Sequence, residues 1–303
     1  MSQGAPETIT RLPALPGVYR FRATGGTVLY IGRAARLRNR VASYWSDLRE
    51  REHLRPMVRQ VTQIEALVCD SPHEAAWLER NLLEASLPPW NRTKGGQESV
   101  VYIRMDPRPP KPGLSVEHVI RAADGVAHFG PYLGGLRARQ AVTGLGRILP
   151  LSYTSTRLDG ARLDMARARG YLRADREGVI EAIEAILRRD PVAVTWARAE
   201  LEELRGRAAQ AMAFELAGRI NDEIAALAWV TSPQKVTTTD GGDFEVFGWS
   251  ADVLIGLAVR DGQLKDWSRT QCSRPDATTR LAATPPDWVQ FAQRNADLAA
   301  ALT

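Results

Sequence analysis

The residue most suggestive of chemistry is a glutamate in the second predicted helix. That helix begins at Ser71-Pro72 and runs through Leu83, and Glu79 falls within its apolar arc. A carboxylate directed at a packed interior is costly unless a cation or strong hydrogen-bond donors meet it. Two arrangements would satisfy Glu79: an ion pair with an arginine, or a divalent-metal site, since hard oxygen ligands suit Mg²⁺ or Mn²⁺. Glu74 lies nearer the helix start, where a negative charge is favourable in any case.

A row of basic residues precedes this glutamate in the first predicted helix, which we place from Arg33 to Trp45. The three-and-four spacing puts four residues on one helix face: Arg33, Arg36, Arg40 and Tyr44. A neighbouring apolar stripe that would pack the helix onto a sheet consists of Leu37, Val41 and Trp45. Guanidinium groups offer a rigid fork of donors to phosphate oxygens, so the basic row would suit a phosphate. A solvated basic face explains the same spacing.

Two tyrosines, Tyr19 and Tyr30, lie on short β-rich runs. Ordinary aromatic packing is the commoner role of a tyrosine in a strand. Beside a metal and several arginines, the phenol pKa of about 10 would fall, which would let one tyrosine accept a proton from water.

The elements that must position these side chains form a small antiparallel sheet flanked by helices. Runs at residues 17–21 and 28–31 surround Gly25-Gly26, which indicates a hairpin, and a third strand follows at residues 63–68. Further strands are predicted at residues 99–104, 116–120, 244–249 and 254–260, and helices at residues 137–149 and over most of 160–230. The pattern favours the α+β class.

Composition excludes several classes of protein. With 44% hydrophobic and 25% charged residues over 303 positions, the chain is typical of globular proteins. No apolar run is long enough to span a bilayer, and the first residues lack the pattern of a secretory signal. The two cysteines, Cys69 and Cys272, allow neither a disulfide framework nor a cysteine cage for a metal. We therefore expect a cytoplasmic protein with no membrane partner.

Charge is distributed unevenly along the chain. Residues 1–158 carry 22 Lys and Arg against 13 Asp and Glu, whereas residues 159–303 carry 18 against 22. A basic first half suits a polyanion, because phosphate contacts are electrostatic and release counterions. An uneven but merely solubilising surface explains the charge equally well.

The ordered motifs of the first hundred residues resemble the UvrC family of GIY-YIG nucleases. Gly-Val-Tyr at residues 17–19 and Tyr-Ile-Gly at residues 30–32 are similar to the paired signature of these nucleases. The similarity continues through residues 33–44, 74–83 and 89–91. A tyrosine pair alone is a weak signal, whereas this many elements in order form a specific one.

The resemblance implies a role for each matching residue. Glu79 would hold a single divalent ion, Arg40 would contact the scissile phosphate, and Tyr30 would activate the attacking water. The rest of the implied catalytic set is Tyr19, Tyr44, Asn91, which would brace the site, and Arg33, which stands where the family usually has lysine. DNA binding is expected of Arg36, Arg38 and Lys94. The implied reaction is metal-assisted hydrolysis of a DNA phosphodiester.

The middle of the chain also resembles the UvrC family. Residues 129–132 and 148–151 are similar to the linker that follows the nuclease domain, which commonly carries cysteines that bind an iron–sulfur cluster. This linker contains no cysteine, so we expect no iron–sulfur cluster. Residues 198–228 resemble the UVR helical hairpin through which the family binds UvrB, although an internal core hairpin would show the same periodicity. The implied partner-binding residues are Phe214, Glu215, Ile220 and Asp222.

The tail departs from full-length members of the family. Its strand-like stretches resemble the start of a second, RNase H-like nuclease, but the sequence ends before such a domain is completed. In length and content the chain is similar to short, single-nuclease homologues of the Cho type, which incise only on the 3′ side of a lesion. The expected domains are a GIY-YIG nuclease at residues 11–95, a DNA-contacting linker at 96–158, a helical region at 159–230 and a truncated RNase H-like or small β/α tail at 231–303.

The favoured interpretation is an endonuclease of nucleotide excision repair that makes one incision in damaged duplex DNA, alongside UvrB. Two alternatives stay open. One is a structure-selective or general GIY-YIG nuclease outside repair, and the other is a DNA-binding adaptor whose nuclease site is silent.

Overall fold

The computed structural model describes residues 4–46, 49–95, 98–108, 111–155, 158, 160–168, 171, 175–239 and 241–303. The strands are β1 (Gly17–Arg22), β2 (Val28–Ala34), β3 (Gln63–Val68), β4 (Val100–Asp106), β5 (Gly113–Glu117), β6 (Ala127–Leu133), β7 (Phe244–Ser250), β8 (Val253–Arg260) and β9 (Gln263–Gln271). The helices are α1 (Gly4–Arg11), α2 (Leu37–Ser46), α3 (Arg55–Val58), α4 (Pro72–Ala85), α5 (Gly135–Ile148), α6 (Gly160–Ala168), α7 (Arg176–Leu187), α8 (Pro191–Gln210), α9 (Phe214–Val230), α10 (Arg274–Ala282) and α11 (Val289–Ala301). Short 3₁₀ turns lie at Arg49–Leu54, Leu151–Tyr153 and Pro286–Trp288. The expected α+β class is confirmed.

The chain divides into two compact units. The first combines Met1–Gln97 with Pro233–Thr303, and the second is Glu98–Ser232. The tail thus belongs to the same unit as the first hundred residues. Among the described residues, no helix is both long and apolar enough to cross a membrane.

The first unit is built on an antiparallel sheet with strand order β2-β1-β3. The predicted hairpin forms β1 and β2, with both Gly25 and Gly26 at positive φ in the turn, where glycine is least strained. The first residue of the central strand, Gly17, must be a glycine, because a Cβ at this position would lie 2.2 Å from the carbonyl oxygen of Leu67 on β3. The core against this sheet includes Phe21, Leu37 and Val41, all fully buried.

Helix α4 starts as its sequence predicts. The Ser71 hydroxyl accepts a hydrogen bond of 3.0 Å from the backbone N–H of Glu74, and Pro72 occupies the first helical position. The first predicted helix differs from expectation, since α2 begins at Leu37 and Arg33 belongs to β2. The buried residues of α2 are Leu37, Val41 and Tyr44, whereas Trp45 is only partly buried.

The tail folds as a meander, β7-β8-β9, covered by α10 and α11. Helix α11 packs so closely on β7 that a Cβ at Gly248 would lie only 2.2 Å from the carbonyl oxygen of Ala292. Helix α11 also reaches the first sheet, where Leu298 and Leu302 join the core around β1 and β3. The tail is therefore packed into the first unit through apolar residues as well as polar ones.

Two asparagine side chains close the edges of the first sheet. The amide of Asn91 accepts from the backbone N–H of Ile31 on β2 at 2.9 Å and donates to its carbonyl at 2.8 Å. On the opposite edge, the amide of Asn295 accepts from the N–H of Val68 at 2.6 Å and donates to its carbonyl at 3.1 Å. Asn295 is completely buried and comes from α11, so the tail satisfies an edge strand that lies 227 residues earlier in the chain.

The second unit has its own sheet, in strand order β5-β4-β6, and its described residues include helices α5 to α9. Helices α8 and α9 form an antiparallel pair around the turn at residues 211–213, within the segment expected to form a helical hairpin. The core of this unit includes Ile103, Leu145, Leu201 and Leu227, all of them at most 1% exposed. Arg147 donates to the buried carboxylate of Glu223, which fixes α5 against α9.

We predict that Asn295→Ala lowers the free energy of unfolding of the first unit by about 2–3 kcal/mol. The change leaves the N–H of Val68 buried without its partner, which costs roughly 1–3 kcal/mol, and it leaves the Val68 carbonyl with only the longer bond from Arg294, at 3.4 Å. Urea unfolding followed by far-ultraviolet circular dichroism measures the loss. The matched control is Gln290→Ala, an exposed amide on the same helix, which should change stability by less than about 0.5 kcal/mol. Equal stabilities of the two variants would contradict the edge-closing role.

Candidate active site

An open cavity of about 420 Å³ lies beside the hairpin in the first unit. Its lining consists of Tyr19, Tyr30, Gly32, Arg33, Ala34, Ala35, Arg40 and Glu79. Five of these are residues that sequence analysis selected for chemistry. They come from β1, β2, α2 and α4, so the fold brings together side chains that are separated by as many as 60 positions.

Three tyrosines cluster at the cavity, and two of them, Tyr19 and Tyr30, line it. The hydroxyl oxygens of Tyr19 and Tyr44 are 2.8 Å apart and share a buried hydrogen bond. The ring of Tyr30 lies 6.3 Å from that of Tyr19 and 6.0 Å from that of Tyr44, measured between centroids. Tyr19 and Tyr44 are at most 1% exposed, whereas Tyr30 is partly exposed. Of the three side chains, that of Tyr30 is therefore the most exposed.

The protein alone raises the pKa of two of these phenols. Burial is the largest cause for both Tyr19 and Tyr30, and the neighbouring Tyr44 acts in the same direction. For Tyr30 the charge of Glu79 adds to the increase in pKa, while Arg40 opposes it. Sequence analysis expected a lowered phenol pKa, which the protein's own groups do not provide. Both phenols are thus protonated at neutral pH unless further positive charge lies beside them.

Glu79 faces the cavity rather than a packed interior, which corrects the expected position of its side chain. Its side chain is 22% exposed, and its carboxylate accepts a hydrogen bond of 3.2 Å from the backbone N–H of Arg33. The Arg33 Nε atom lies 3.3 Å from the other carboxylate oxygen. The ion pair considered from sequence is therefore present, and its arginine comes from β2. Arg33 does not share a helix face with Arg40, as the sequence spacing had suggested.

Arg40 projects from α2 toward the tyrosines. Its guanidinium carbon lies 5.7 Å from the ring centroid of Tyr44. Burial acts to lower the pKa of Arg40, but the neighbouring phenol groups of Tyr19 and Tyr44, including a hydrogen bond with Tyr19, outweigh it and raise the pKa. Arg40 therefore stays charged and supplies a fixed positive charge at the cavity.

Asn91 and Gly32 fix the strand that carries these groups. The double hydrogen bond from Asn91 to Ile31 holds the backbone between Tyr30 and Gly32. At Gly32 a Cβ would lie 2.5 Å from the hydroxyl oxygen of Tyr19 and 2.9 Å from the ring of Tyr30. Glycine at this position therefore leaves room for the tyrosine pair.

The three residues expected to bind DNA lie on the exposed surface of the same unit, outside the lining of the cavity. Arg36 directly precedes α2, and its carbonyl accepts from the N–H of Arg40 at 3.1 Å. Arg38 donates from Nε to the carbonyl of Leu12 at 2.6 Å, so part of its guanidinium has a structural role. Lys94 lies in the turn that follows Asn91.

Of the four residues expected to bind a partner, three are exposed and one is buried. Phe214, at the start of α9, is 69% exposed, and Glu215 and Asp222 are also exposed. Ile220 is only 2% exposed and packs in the core of the second unit, so its side chain is not presented to solvent. The core-hairpin interpretation therefore accounts for Ile220.

The completely buried carboxylate of α4 is Glu74, which sequence analysis placed only at the favourable helix start. Its oxygens accept hydrogen bonds from the backbone N–H groups of Asp70 at 2.6 Å and Lys235 at 2.8 Å. Burial is the main reason that the pKa of Glu74 is raised, although the two backbone donors act against that increase. Because Lys235 lies 161 residues away, no local sequence signal identified this contact.

The donor set at the cavity suits a hard divalent ion held by one carboxylate. Among the described ranges, no group of three or more His, Cys, Asp or Glu side chains is arranged to hold a metal. Mg²⁺ typically takes one or two carboxylates and keeps several waters or phosphate oxygens as its other ligands. Glu79 offers this kind of oxygen at the cavity surface, since carboxylate oxygens retain further acceptor capacity beyond the bonds to Arg33.

We predict that Gly32→Ala lowers the free energy of unfolding of the first unit by about 1–3 kcal/mol, the typical cost of overpacking. The new methyl group must displace the phenol of Tyr19 and so break its hydrogen bond with Tyr44. Urea unfolding followed by tyrosine and tryptophan fluorescence measures the effect. Wild-type stability in the variant would show that the approach of Tyr19 to Gly32 is looser than we describe.

The sequence of the chain is similar to those of known proteins over most of its length. Residues 15–92 match the family model of the UvrC-like GIY-YIG domain. Over 270 residues the chain is 31% identical to UvrABC system protein C of Syntrophotalea carbinolica, a match that covers 84% of this chain and 44% of the relative. The corresponding protein of Geobacter metallireducens is 33% identical over 275 residues, with the same coverage. The chain therefore spans less than half the length of these relatives.

Among solved structures, the chain matches the GIY-YIG N-terminal endonuclease domain of UvrC from Thermotoga maritima, which was determined with its catalytic divalent cation, magnesium. The identity is 33%, and the match covers 30% of this chain and all of that domain, with a TM-score of 0.28. The family model and the curated relatives converge on one assignment. The chain is a relative of the UvrC proteins, and its residues 15–92 are a GIY-YIG domain of the UvrC type.

Proposed function

We propose that this protein is a metal-dependent endonuclease of nucleotide excision repair that hydrolyses one phosphodiester bond of damaged DNA. The observation that carries the proposal is the convergence of Tyr30, Arg40 and Glu79 on one open cavity. The cavity is large enough for a phosphate group, and its two arginines make it attractive to an anion. The relatives' name, UvrABC system protein C, supports a place in excision repair.

Each cavity residue has a chemical role in this proposal. Glu79 holds the divalent ion. When bound, the ion would polarise the scissile phosphate, stabilise the charge that develops on it and favour loss of a proton from a nearby phenol. Arg40 binds a non-bridging phosphate oxygen and stabilises negative charge in the transition state, since it is permanently charged and aimed at the cavity.

We assign proton removal from the attacking water to Tyr30. Its side chain is the most exposed of the three, whereas Tyr19 and Tyr44 are buried and hydrogen-bonded to each other. Tyr19 and Tyr44 instead hold the ring of Tyr30 and the guanidinium of Arg40 in place. Arg33 keeps the Glu79 carboxylate oriented toward the cavity through its backbone N–H and its side chain.

Arg36, Arg38 and Lys94 are proposed to contact the DNA backbone outside the cavity, where their exposed positive charges suit phosphates. We also propose that the protein resembles the short, single-nuclease homologues in making its incision on the 3′ side of the lesion. We further propose that it uses either Mg²⁺ or Mn²⁺ and binds no iron–sulfur cluster.

The helical hairpin of the second unit is proposed to bind UvrB. Met212 and Phe214, at the tip between α8 and α9, are 76% and 69% exposed. Exposed apolar side chains of this size at a hairpin tip suit burial in a partner's groove. Glu215 and Asp222 add exposed carboxylates on the same helix, α9.

We predict that Glu79→Gln lowers the rate of DNA nicking by at least about 100-fold, because the amide loses the charge that binds the ion. The substrate is an end-labelled duplex with one bulky adduct, incubated with Mg²⁺ or Mn²⁺, with and without UvrA and UvrB. Mobility-shift assays should show that DNA binding is retained. The matched control is Glu84→Gln on the same helix, a residue that pairs with Arg80 and does not line the cavity.

The outcomes of this experiment separate the alternatives. A single metal-dependent cut on the 3′ side of the adduct supports the repair function. Cutting that ignores adduct and partners indicates a general nuclease, and no cutting by the wild-type protein indicates a silent adaptor. Nicking by Glu79→Gln at the wild-type rate would refute the metal-ligand role.

We predict that Phe214→Ala weakens UvrB binding by about 10- to 100-fold, since burying a phenylalanine contributes roughly 1.5–3 kcal/mol. Isothermal titration calorimetry with purified UvrB measures the dissociation constant. Val192→Ala, an apolar residue at the opposite end of the hairpin that is 78% exposed, is the control. Equal affinities of the two variants would remove the hairpin tip from the interface.

A further inference from the structure

Helix α4 presents different faces to the cavity and to the tail. Glu74 and Asn81 are seven residues apart and therefore lie on one line along the helix. Glu79 lies about 140° around the helix from Glu74, at 100° per residue. Glu79 faces the cavity, whereas Glu74 and Asn81 are completely buried against the tail segment 233–237, which we call the strap.

The strap follows α4 for most of the helix's length. The Ser71 hydroxyl donates to the carbonyl of Pro233 at 2.6 Å, and the N–H of Lys235 donates to Glu74 at 2.8 Å. Further along the helix, the Asn81 amide donates to the carbonyl of Val236 at 3.0 Å and to the hydroxyl of Thr237 at 2.9 Å. These contacts run from the N-cap of α4 to its third turn.

The strap is itself held by the tail sheet. The N–H of Leu264 on β9 donates to the carbonyl of Val236 at 2.9 Å, and the N–H of Thr238 donates to the carbonyl of Gly262 at 2.9 Å. The side chain of Gln234 closes a loop onto the N–H and carbonyl of Thr237, at 2.9 and 2.8 Å. The strap is therefore an anchored surface rather than a segment that adapts to α4.

Buried polar contacts of this kind fix orientation. Thr237 is 4% exposed, and its hydroxyl both accepts from and donates to the Asn81 amide. A rotation of α4 that moved Glu79 out of the cavity would leave the Glu74 carboxylate and the Asn81 amide buried without partners, which is costly. The rotational position of the helix is thus set from the tail side as well as from the sheet side.

We propose that the strap positions Glu79 for the divalent ion, and that Thr237 is a positioning residue acting through Asn81. The inference rests on the metal-ligand role given to Glu79 under the proposed function. Supporting residues around a ligand set metal affinity, because the ligand oxygen must be held at the ion in a productive orientation. The tail thereby takes part in the nuclease site without contributing a residue to the cavity lining.

The test is a titration of the full chain with Mn²⁺, in which the electron paramagnetic resonance signal of free Mn²⁺ reports binding without catalysis. Thr237→Val removes the hydroxyl with little change of shape, and it should weaken Mn²⁺ binding about 10-fold, the lower end of the usual effect of a supporting residue. Thr237→Ser keeps a hydroxyl and should restore wild-type affinity. Nicking rates at subsaturating Mn²⁺ should follow the same order.

The matched control is Thr284→Val. The Thr284 hydroxyl is also buried and also makes two hydrogen bonds, both to the backbone of Phe247 at 2.8 and 3.0 Å, away from α4. Thr284→Val should lower stability without changing Mn²⁺ affinity. Equal Mn²⁺ affinities of the two valine variants, in folded proteins, would overturn the positioning role.

Glu79→Gln separates this inference from the proposed function. If Glu79→Gln abolishes Mn²⁺ binding and Thr237→Val leaves it unchanged, the positioning role is wrong and the metal site stands. If Glu79→Gln binds Mn²⁺ like the wild type, the metal-ligand role of Glu79 is wrong, and the inference falls with it.

Discussion

The two edges of a three-stranded sheet are the constraint on which the rest of the first unit depends. Backbone N–H and C=O groups at a buried edge must find partners, and a sheet of order β2-β1-β3 has two such edges. Asn91 supplies the partners on β2 and Asn295 supplies them on β3. A primary amide carries a donor and an acceptor side by side, so each asparagine ends the sheet as one residue of a further strand would.

The hydrogen bonds at the sheet edges fix the backbone of the hairpin, and the hairpin in turn positions side chains that line the cavity. Asn91 bonds to Ile31, whose neighbours in sequence are Tyr30 and Gly32, so the phenol and the space beside it are set by one contact. The absence of a side chain at Gly32 lets Tyr19 reach Tyr44. Burial of those two phenols leaves Tyr30 as the most exposed of the three side chains. The lack of a side chain at Gly32 therefore determines which phenol is available for chemistry at the cavity.

Sequence alone predicted the elements of the first unit well, because the signals are local. Alternation and the Gly25-Gly26 turn identify the hairpin, and Ser71 with Pro72 identifies the start of α4. Helical periodicity was less reliable: the predicted first helix included Arg33, which lies in β2, because nothing in the local pattern marks the boundary. The resemblance to the UvrC family, rather than spacing, selected Asn91.

What sequence could not predict are contacts whose partner lies far along the chain. Sequence analysis directed Glu79 at the packed interior and placed Glu74 only at the helix start, whereas the contact with the tail makes Glu74 the covered carboxylate. Asn295 has no local pattern that distinguishes it from any other helical asparagine, yet it completes β3. These contacts are invisible to periodicity, since their partners are backbone groups of a segment 155 or more residues away.

Buried polar contacts join the tail to the first hundred residues at several points, and they have a physical consequence. Arg20, on the central strand, is 4% exposed, donates to Asp266 at 2.8 Å and stacks on Trp267 with its guanidinium carbon 3.7 Å from the ring centroid. Apolar contacts are non-directional, whereas buried charges and amides lose their specific partners when the packed elements shift. A tail fastened by Arg20 and Asn295 therefore docks in a single arrangement, which is what a site built on a few well-placed groups requires.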